Sequence, residues 1–212
     1  MNNNGISDYV IKRLPRYYRF LGELSAAGIK RISSAELGRK MGLTASKIRQ
    51  DLNCFGGFGQ QGFGYYTDVL REEIGNILGI DRLKKIILIG MGNIGRGVAM
   101  HINFESKGYT LVGVFDKKES LIGTVVKNIP IRSIETLDDF CRENKPDAAI
   151  LCIPKEEVPK IAEHLISHGV KGFLNFSHYD LSLKYDNIVV QNIHFGDSLM
   201  ILSYDIKNMN NE

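Results

Sequence analysis

The sequence predicts an α/β protein in which a small helical domain precedes a doubly wound parallel sheet. Lysine and arginine are concentrated in residues 1–50, which hold ten of them against three acids, although the whole chain carries a net charge of only +3. Two short segments there carry the capping signals of neighbouring helices. Beyond residue 80, apolar runs typical of buried strands alternate with helical patterns, which predicts a parallel sheet covered by helices.

Composition limits the functions that need to be considered. A chain of 212 residues can bury one large core or two modest ones, and 43% apolar with 24% charged residues is ordinary for a folded protein. The apolar runs are far shorter than a membrane span, so we expect no membrane partner. Cys54, Cys141 and Cys152 have neither a metal-binding spacing nor an even number for disulfide pairing. They are typical of reduced thiols, and they predict a cytoplasmic protein without a bound metal.

The basic segment begins with two predicted helices. Apolar residues recur at helical spacing over residues 9–28, with Pro15 near the first turn, where a proline is tolerated. The second helix opens on a capping box, because Ser33 and Glu36 are three residues apart and each side chain can bond the other's backbone N–H. Gly42 is suited to end this helix in a left-handed conformation.

Thr44 is positioned to cap a third helix, over residues 45–55. Its apolar residues recur at helical spacing and predict an inward face of Ile48, Leu52 and Phe55. Its outer, N-terminal face would present Ser46, Lys47, Arg49 and Gln50. A short helix, a glycine turn and a helix with polar residues near its start form the helix-turn-helix layout, whose second helix enters the major groove of DNA. Arg49 and Gln50 are residue types suited to guanine and adenine edges, respectively.

The glycine-rich stretch "FGGFGQQGFGYY", residues 55–66, follows this helix directly. It is a poor candidate for a phosphate-binding loop, because neither an apolar strand before it nor a helix after it is indicated. Aromatic residues alternate with the glycines, which favours a β-hairpin whose tip needs positive φ angles. A hairpin after a recognition helix is the wing of a winged helix. We therefore predict that the wing tip reaches DNA through Gln60, Gln61 and Gly62.

A second glycine motif, "GMGNIG" at residues 90–95, has the context that the first one lacks. An apolar run, residues 86–89, leads into it, and a helical pattern follows. Gly90 would allow the tight turn, Gly92 the approach of a pyrophosphate to the backbone, and Gly95 the close packing of helix on strand. The N-terminus of the helix would bind the phosphates through its free N–H groups. The predicted pyrophosphate turn comprises Gly90, Met91, Gly92, Asn93, Ile94 and Gly95.

The next strand, "YTLVGVFD", ends in Asp116, 21 residues beyond Gly95. A carboxylate there can accept hydrogen bonds from the adenosine ribose hydroxyls and repel a 2′-phosphate. The basic residues Lys117 and Lys118 follow directly, and their positive charges weaken the preference for NAD over NADP. We still predict NAD as the cofactor, with Asp116 and Lys117 in the site.

The remaining residues complete the sheet. Residues 147–154 and 170–177 are predicted strands on either side of a helix over 155–169, and 187–193 is a further strand. Ligands of such sheets lie at the carboxyl ends of the strands. The strand-end candidates for the rim of the cofactor site are Ile153, Pro154, Asn175, Phe176 and Ser177.

Taken together, these segments resemble the redox-sensing transcriptional repressors called Rex, over nearly the whole chain. The resemblance is carried, in the family's order and spacing, by "RLPRYYRFL", "SSAELGRKMGLTASKIRQDLNCFGGFG", "GFGYY", "GMGNIG", "GVFD", "GVKGFLNF" and "SLMILSY". It implies a winged-helix DNA-binding domain over 1–80, a Rossmann NAD(H) domain over 81–194 and a C-terminal swapped helix and tail over 195–212. It further implies a homodimer, formed through that helix, that binds double-stranded operator DNA when NADH is low. NADH would release the DNA, whereas NAD⁺ is compatible with DNA binding.

The resemblance also implies roles for single residues. Phe195 matches an aromatic residue close to the nicotinamide. In one branch of the family a Tyr and an Asp help to distinguish the two cofactor forms, and His101 and His194 occupy those positions here. Arg19 matches an Arg that joins them, so Arg19, His101 and His194 are the predicted switch residues.

This sequence departs from many of these relatives at the DNA side. Gln50 replaces a Lys, and Gln60 and Gln61 replace a basic pair at the wing tip. Glutamines lower the electrostatic part of DNA affinity, which leaves hydrogen bonding and groove shape a larger role.

Two other functions fit parts of the pattern. An NAD-dependent oxidoreductase would need a substrate domain and an acid–base residue, but only about thirty residues follow the "LNF" strand. His178, the least implausible catalytic histidine, is more typical of a surface histidine, and we predict no catalytic residue. A repressor that senses another nucleotide or coenzyme A is the second alternative.

Overall fold

The computed structural model describes residues 5–58 and 63–209. The chain forms two compact units, Met1–Arg82 and Leu83–Glu212. Within the described residues, no helix is long and apolar enough to cross a membrane.

The first unit is helical, with one pair of very short strands. Its elements are α1 (Asp8–Ala26), β1 (Arg31–Ile32), α2 (Ser34–Met41), α3 (Ala45–Asn53), β2 (Tyr65–Tyr66) and α4 (Thr67–Leu78). The predicted capping box of α2 is confirmed, and Gly42 ends that helix with a left-handed φ of 65°. Thr44 caps α3 as predicted, by accepting a hydrogen bond from the backbone N–H of Lys47 at 3.1 Å.

Three expectations about these helices are wrong. Pro15 lies in the interior of α1 and not in its first turn. The third helix ends at Asn53, so Phe55 lies beyond it, although its ring still packs against the core. A helix does follow the glycine-rich stretch, because α4 begins at Thr67. Its N-cap residue, Tyr66, makes no capping bond with its side chain, and Thr67 and Asp68, residue types typical of a helix start, lie in its first turn.

The strand pairing at the wing also differs from the predicted hairpin. No strand forms over residues 55–58, and β2 pairs antiparallel with β1, which precedes α2. Consecutive glycines at 56 and 57 offer no side chains for cross-strand contacts, whereas Ile32 of β1 is buried. A Cβ on Gly64 would lie 2.6 Å from the Ile32 carbonyl oxygen, which explains the glycine beside β2. The predicted tip, Gln60, Gln61 and Gly62, lies outside the described residues.

The second unit is a seven-stranded sheet with helices on both faces. Its strands are β3 (Lys84–Ile89), β4 (Tyr109–Asp116), β5 (Val125–Val126), β6 (Ile129–Ser133), β7 (Ala148–Leu151), β8 (Gly172–Asn175) and β9 (Val189–Asn192), and its helices are α5 (Asn93–His101), α6 (Leu137–Asn144), α7 (Val158–Ser167) and α8 (Phe195–Met209). The strand order is β5-β6-β4-β3-β7-β8-β9, and all neighbours are parallel except β5 and β6. The chain reverses its direction of winding between β3 and β7, which is where ligands of such sheets bind.

Residues of the central strand β3 show that both faces of the sheet are covered. Ile87 and Ile89 belong to one buried cluster, and Ile86 and Leu88 to another. This alternation follows from the two-residue period of a strand. All four side chains are buried, as expected of a strand in a parallel sheet.

Three elements of this unit were not predicted from the sequence: β5, β6 and α6. The turn between β5 and β6 is formed by Lys127 and Asn128, with φ angles of 47° and 64°. Two positive φ angles in succession are the mark of the two-residue turns that close hairpins, and asparagine tolerates them. The segment "VVKNIPI" therefore carried a usable signal.

The fit of α5 against β3 predicts opposite effects for two glycines of one helix. A Cβ on Gly95 would lie 1.8 Å from the Gly90 carbonyl oxygen, whereas a Cβ on Gly97 would meet nothing within 4 Å. We expect Gly95→Ala to destabilise the protein by about 1–3 kcal/mol or more. Gly97→Ala should be neutral or stabilise it by up to about 1 kcal/mol, because alanine favours helix. Urea unfolding of both variants checks this, and equal effects would contradict it.

Candidate nucleotide cleft and candidate nucleic-acid interface

The turn between β3 and α5 is shaped by glycines with different physical roles. Gly90 has a φ of +95°, and a Cβ on it would lie 2.4 Å from the Cys152 carbonyl oxygen of the neighbouring segment. Gly92, the N-cap of α5, has nothing within 4 Å of its Cβ position and makes no side-chain cap. The chain itself therefore does not require a glycine at 92. What this glycine provides is open space in front of the first N–H groups of α5, where an anion can bind.

Asp116 lies at the end of β4, beside this turn. Its Oδ2 accepts a hydrogen bond from the Met91 backbone N–H at 2.5 Å, and its Oδ1 accepts one from the Lys118 N–H at 2.8 Å. The two bonds fix the carboxylate at the edge of the turn. A carboxylate has about four acceptor positions, so capacity remains for the hydroxyls of a ligand.

A cavity of about 690 Å³ extends from the turn across the ends of β3, β4 and β7. Its size falls in the range of small-molecule sites. Six predicted cofactor residues line it: Gly90, Gly92, Asp116, Lys117, Ile153 and Pro154. At its rim, Lys117 forms an ion pair with Glu157. The hydrogen bond within this pair raises the pKa of the Lys117 ammonium.

Several residues of this cavity were not among the predicted ones. Ile134, Leu137 and Ile161 supply an apolar wall from α6, α7 and the segment after β6. An apolar wall of this kind suits the flat face of a base. In the sequence these residues look like ordinary core positions, so only the fold shows that they line the cavity.

The other residues of the predicted pyrophosphate turn take different positions. Met91 is buried, whereas Asn93 and Ile94 are exposed in the first turn of α5. Gly95 lies against the Gly90 carbonyl and serves the packing of helix on strand.

The predicted residues at the end of β8 lie outside this cavity's lining. Asn175 is fully buried; its Nδ2 donates to the Tyr179 carbonyl and to Asn192 Oδ1, and its Oδ1 accepts from the Ser177 N–H and hydroxyl. Its side chain thus fixes the turn after β8. Phe176 lies on this turn, and its ring centroid is 6.3 Å from that of Phe195, the first residue of α8.

One of the predicted switch residues joins the same turn. His194 Nε2 lies 3.0 Å from the Ser177 carbonyl oxygen, and its Nδ1 lies 3.4 Å from an Asp197 carboxylate oxygen. The ring centroids of His178 and His194 are 4.9 Å apart, a contact that the sequence did not indicate. His101 is exposed at the last residue of α5, and Arg19 is exposed on α1 in the first unit.

On the first unit, the predicted outer face of α3 is present. Ser46, Arg49 and Gln50 are exposed and Lys47 is half-buried. Arg49 Nη1 donates to the Ser34 hydroxyl at 3.0 Å, which holds the guanidinium against the start of α2. The arrangement is that of a helix-turn-helix with an exposed cationic second helix.

A helix-turn-helix unit joined to a dinucleotide-type sheet defines a class of ligand-responsive DNA-binding proteins, and comparison with known proteins gives the same class. Residues 5–53 match the family model described as "Putative DNA-binding protein N-terminus", and residues 81–179 match the "CoA binding domain". The chain is 46% identical to the redox-sensing transcriptional repressor Rex of Caldicellulosiruptor saccharolyticus, over 95% of this chain and 91% of that protein. It is 43% identical to Rex of Clostridium acetobutylicum, over 97% and 95%.

Solved structures agree. The crystal structure of RSP in complex with β-NAD⁺ and operator DNA superposes with a TM-score of 0.89 at 44% identity, covering 97% of this chain and 94% of that one. RSP in complex with β-NADH gives a TM-score of 0.86 at 42% identity, covering 97% and 96%. The chain belongs to the Rex family of redox-sensing transcriptional repressors. The predicted fold class is thereby confirmed, and the protein is a transcriptional repressor and not an oxidoreductase.

Proposed function

We propose that this repressor senses the NADH/NAD⁺ ratio in the cytoplasm. It binds double-stranded operator DNA as a homodimer when NADH is low and leaves the DNA when NADH binds. The observation that carries the proposal is the open N-terminus of α5 at Gly92 beside the fixed carboxylate of Asp116. RSP, a relative matched over 97% of this chain, forms complexes with β-NAD⁺ and operator DNA and with β-NADH.

The cleft supports NAD(H) with a defined orientation. The pyrophosphate would lie at the first N–H groups of α5, and the adenosine in the cavity with its ribose hydroxyls on Asp116. A 2′-phosphate would face that carboxylate, which disfavours NADP. Lys117 carries a positive charge that could offset this repulsion, but it forms an ion pair with Glu157. The nicotinamide would then extend towards Phe176 and Phe195.

Coenzyme A is the second candidate ligand, because residues 81–179 match the CoA binding domain. Coenzyme A shares the adenosine and pyrophosphate parts of NAD but carries a 3′-phosphate. That phosphate would lie near Asp116, which accepts bonds from two backbone N–H groups and offers no positive charge. The geometry therefore favours NADH.

The homodimer is supported by α8. Its large apolar side chains are more than half exposed: Phe195, Leu199, Met200, Ile201, Leu202, Tyr204, Ile206 and Met209. Leu199, Leu202 and Ile206 form one stripe along the helix. An apolar surface of this extent marks an interaction site, and a second copy of the chain is the partner that we propose.

A titration with NADH, followed by nicotinamide fluorescence with and without operator DNA, tests the proposal, and Gly92→Ala sharpens it. Because a Cβ at 92 meets no protein atom, the variant should fold like the wild type but bind NADH at least about tenfold more weakly. Gly97→Ala serves as the matched control with unchanged affinity. Wild-type protein that binds coenzyme A in preference to NADH would replace this function by the second candidate.

Arg49→Ala should weaken operator binding by about 1–3 kcal/mol and relax the sequence preference at one position, if Arg49 makes a bidentate contact to a base. Lys47→Ala should instead weaken binding to all sequences and lower the salt dependence by about one phosphate contact. Fluorescence anisotropy at several salt concentrations measures both. Arg142→Ala, which removes an equal charge from the second unit, is the control. A loss for Arg49→Ala that is the same on every sequence would contradict base recognition.

Leu202→Glu should convert the dimer to a monomer, because it places a charge in the apolar stripe of α8. Asn208→Glu adds the same charge on the opposite side of α8 and should leave the dimer intact. Sedimentation equilibrium distinguishes the two, and a Leu202→Glu protein that remains dimeric would exclude α8 as the contact.

A further inference from the structure

A buried carboxylate lies on the inner face of the DNA-facing helix α3. Asp51 is 1% exposed and shares this face with the buried side chains of Ile48 and Leu52. Arg13 of α1 donates to both of its oxygens, from Nε to Oδ2 at 2.6 Å and from Nη2 to Oδ1 at 2.7 Å. The Tyr17 hydroxyl, also from α1, donates to Oδ2 at 3.0 Å. We refer to Asp51, Arg13 and Tyr17 as the α3 clamp.

The clamp holds Asp51 in its charged form. Burial alone would raise the pKa of this carboxyl, but the hydrogen bonds from Arg13 and Tyr17 and the charges of Arg13 and Lys47 outweigh it and leave the pKa below its ordinary value. Burial and the Asp51 charge raise the pKa of the Tyr17 hydroxyl, so that it remains a donor.

Stability alone gives a poor account of this arrangement. Replacing a buried ion pair by apolar side chains of similar volume is often neutral or stabilising, so a helix that only needed to pack would be served as well by leucine. A bidentate guanidinium does something that apolar contacts do not, because its two parallel bonds fix direction as well as distance. Here they fix how α3 is rotated about its own axis relative to α1.

The clamp also reaches the outer face of α3. Lys47 lies one turn before Asp51, and its Nζ is 3.6 Å from Asp51 Oδ1. Arg13 already neutralises the carboxylate, so Lys47 can move to a phosphate without leaving Asp51 unpaired. The rotation that the clamp sets is the one that points Ser46, Arg49 and Gln50 outwards.

We propose that Asp51 is a positioning residue for operator recognition, which sets the orientation of α3 through Arg13 and Tyr17 and holds Lys47 ready for a phosphate. The inference rests on the proposed DNA-binding function and assigns to it a residue that faces away from the DNA.

Asp51→Asn gives a test in which a pure charge effect and a positioning role predict opposite changes in operator affinity. Removing a negative charge beside a polyanion should strengthen binding if charge alone matters. If Asp51 positions α3, operator binding should fall about tenfold or more while binding to unrelated duplex DNA holds or improves. The operator is a duplex selected from a random library with the wild-type protein, and both affinities are measured at one salt concentration.

Two variants control the experiment. Arg13→Lys keeps the charge but loses the forked geometry, so it should lower the ratio of operator to unrelated binding in the same direction, and it serves if Asp51→Asn does not fold. Lys12→Met removes a charge from an exposed position of α1 and should leave the ratio unchanged.

The outcomes separate the inference from the function on which it rests. A wild-type protein that selects no duplex would remove the proposed function itself. If the wild type binds and Asp51→Asn weakens operator and unrelated DNA by one common factor, matching its loss of folded protein in thermal unfolding, the residue is structural only. Equal or tighter operator binding by folded Asp51→Asn would likewise overturn the inference.

Discussion

The second unit depends on how closely the Gly90–Gly95 turn packs against the central strands. The Gly95 Cα must approach the Gly90 carbonyl, and Gly90 must approach the carbonyl of Cys152, at distances that no side chain permits. This fit places the N-terminus of α5 at the point where the sheet changes its direction of winding. It also places the Met91 N–H within reach of Asp116, so the same constraint that packs the helix builds both the phosphate end and the ribose end of the cleft.

The sequence predicted those features that depend on neighbours along the chain. The capping box of Ser33 and Glu36, the Thr44 cap and the Gly90–Gly95 turn are local, and each requires particular residue types at fixed spacing. The pairing of β1 with β2 joins residues more than thirty positions apart. It requires a glycine at position 64, because a side chain there would collide with the backbone of Ile32. No periodicity reports such a pairing, because the reason for the glycine lies in a distant segment.

The same distinction explains which site residues were missed. Ile134, Leu137 and Ile161 come from three segments, and each is typical of a core position until the fold brings it to the cavity. Asp51 breaks an otherwise apolar inner face, and a polar residue at such a position predicts a partner but does not name it. Only the packing of α1 on α3 shows that the partner is Arg13.

We propose that the turn after β8 is the physical route from the cofactor to the dimer. The Asn175 side chain holds this turn together by four hydrogen bonds. Phe195 and His194 then connect the turn to the first residues of α8 through Phe176 and the Ser177 carbonyl. Reduction removes the positive charge of the nicotinamide ring, and a ligand shifts a population only through a difference in its affinity for the two states. We propose that this turn provides the difference, because it contacts the start of α8 and a change of charge beside it would favour one position of α8 over another.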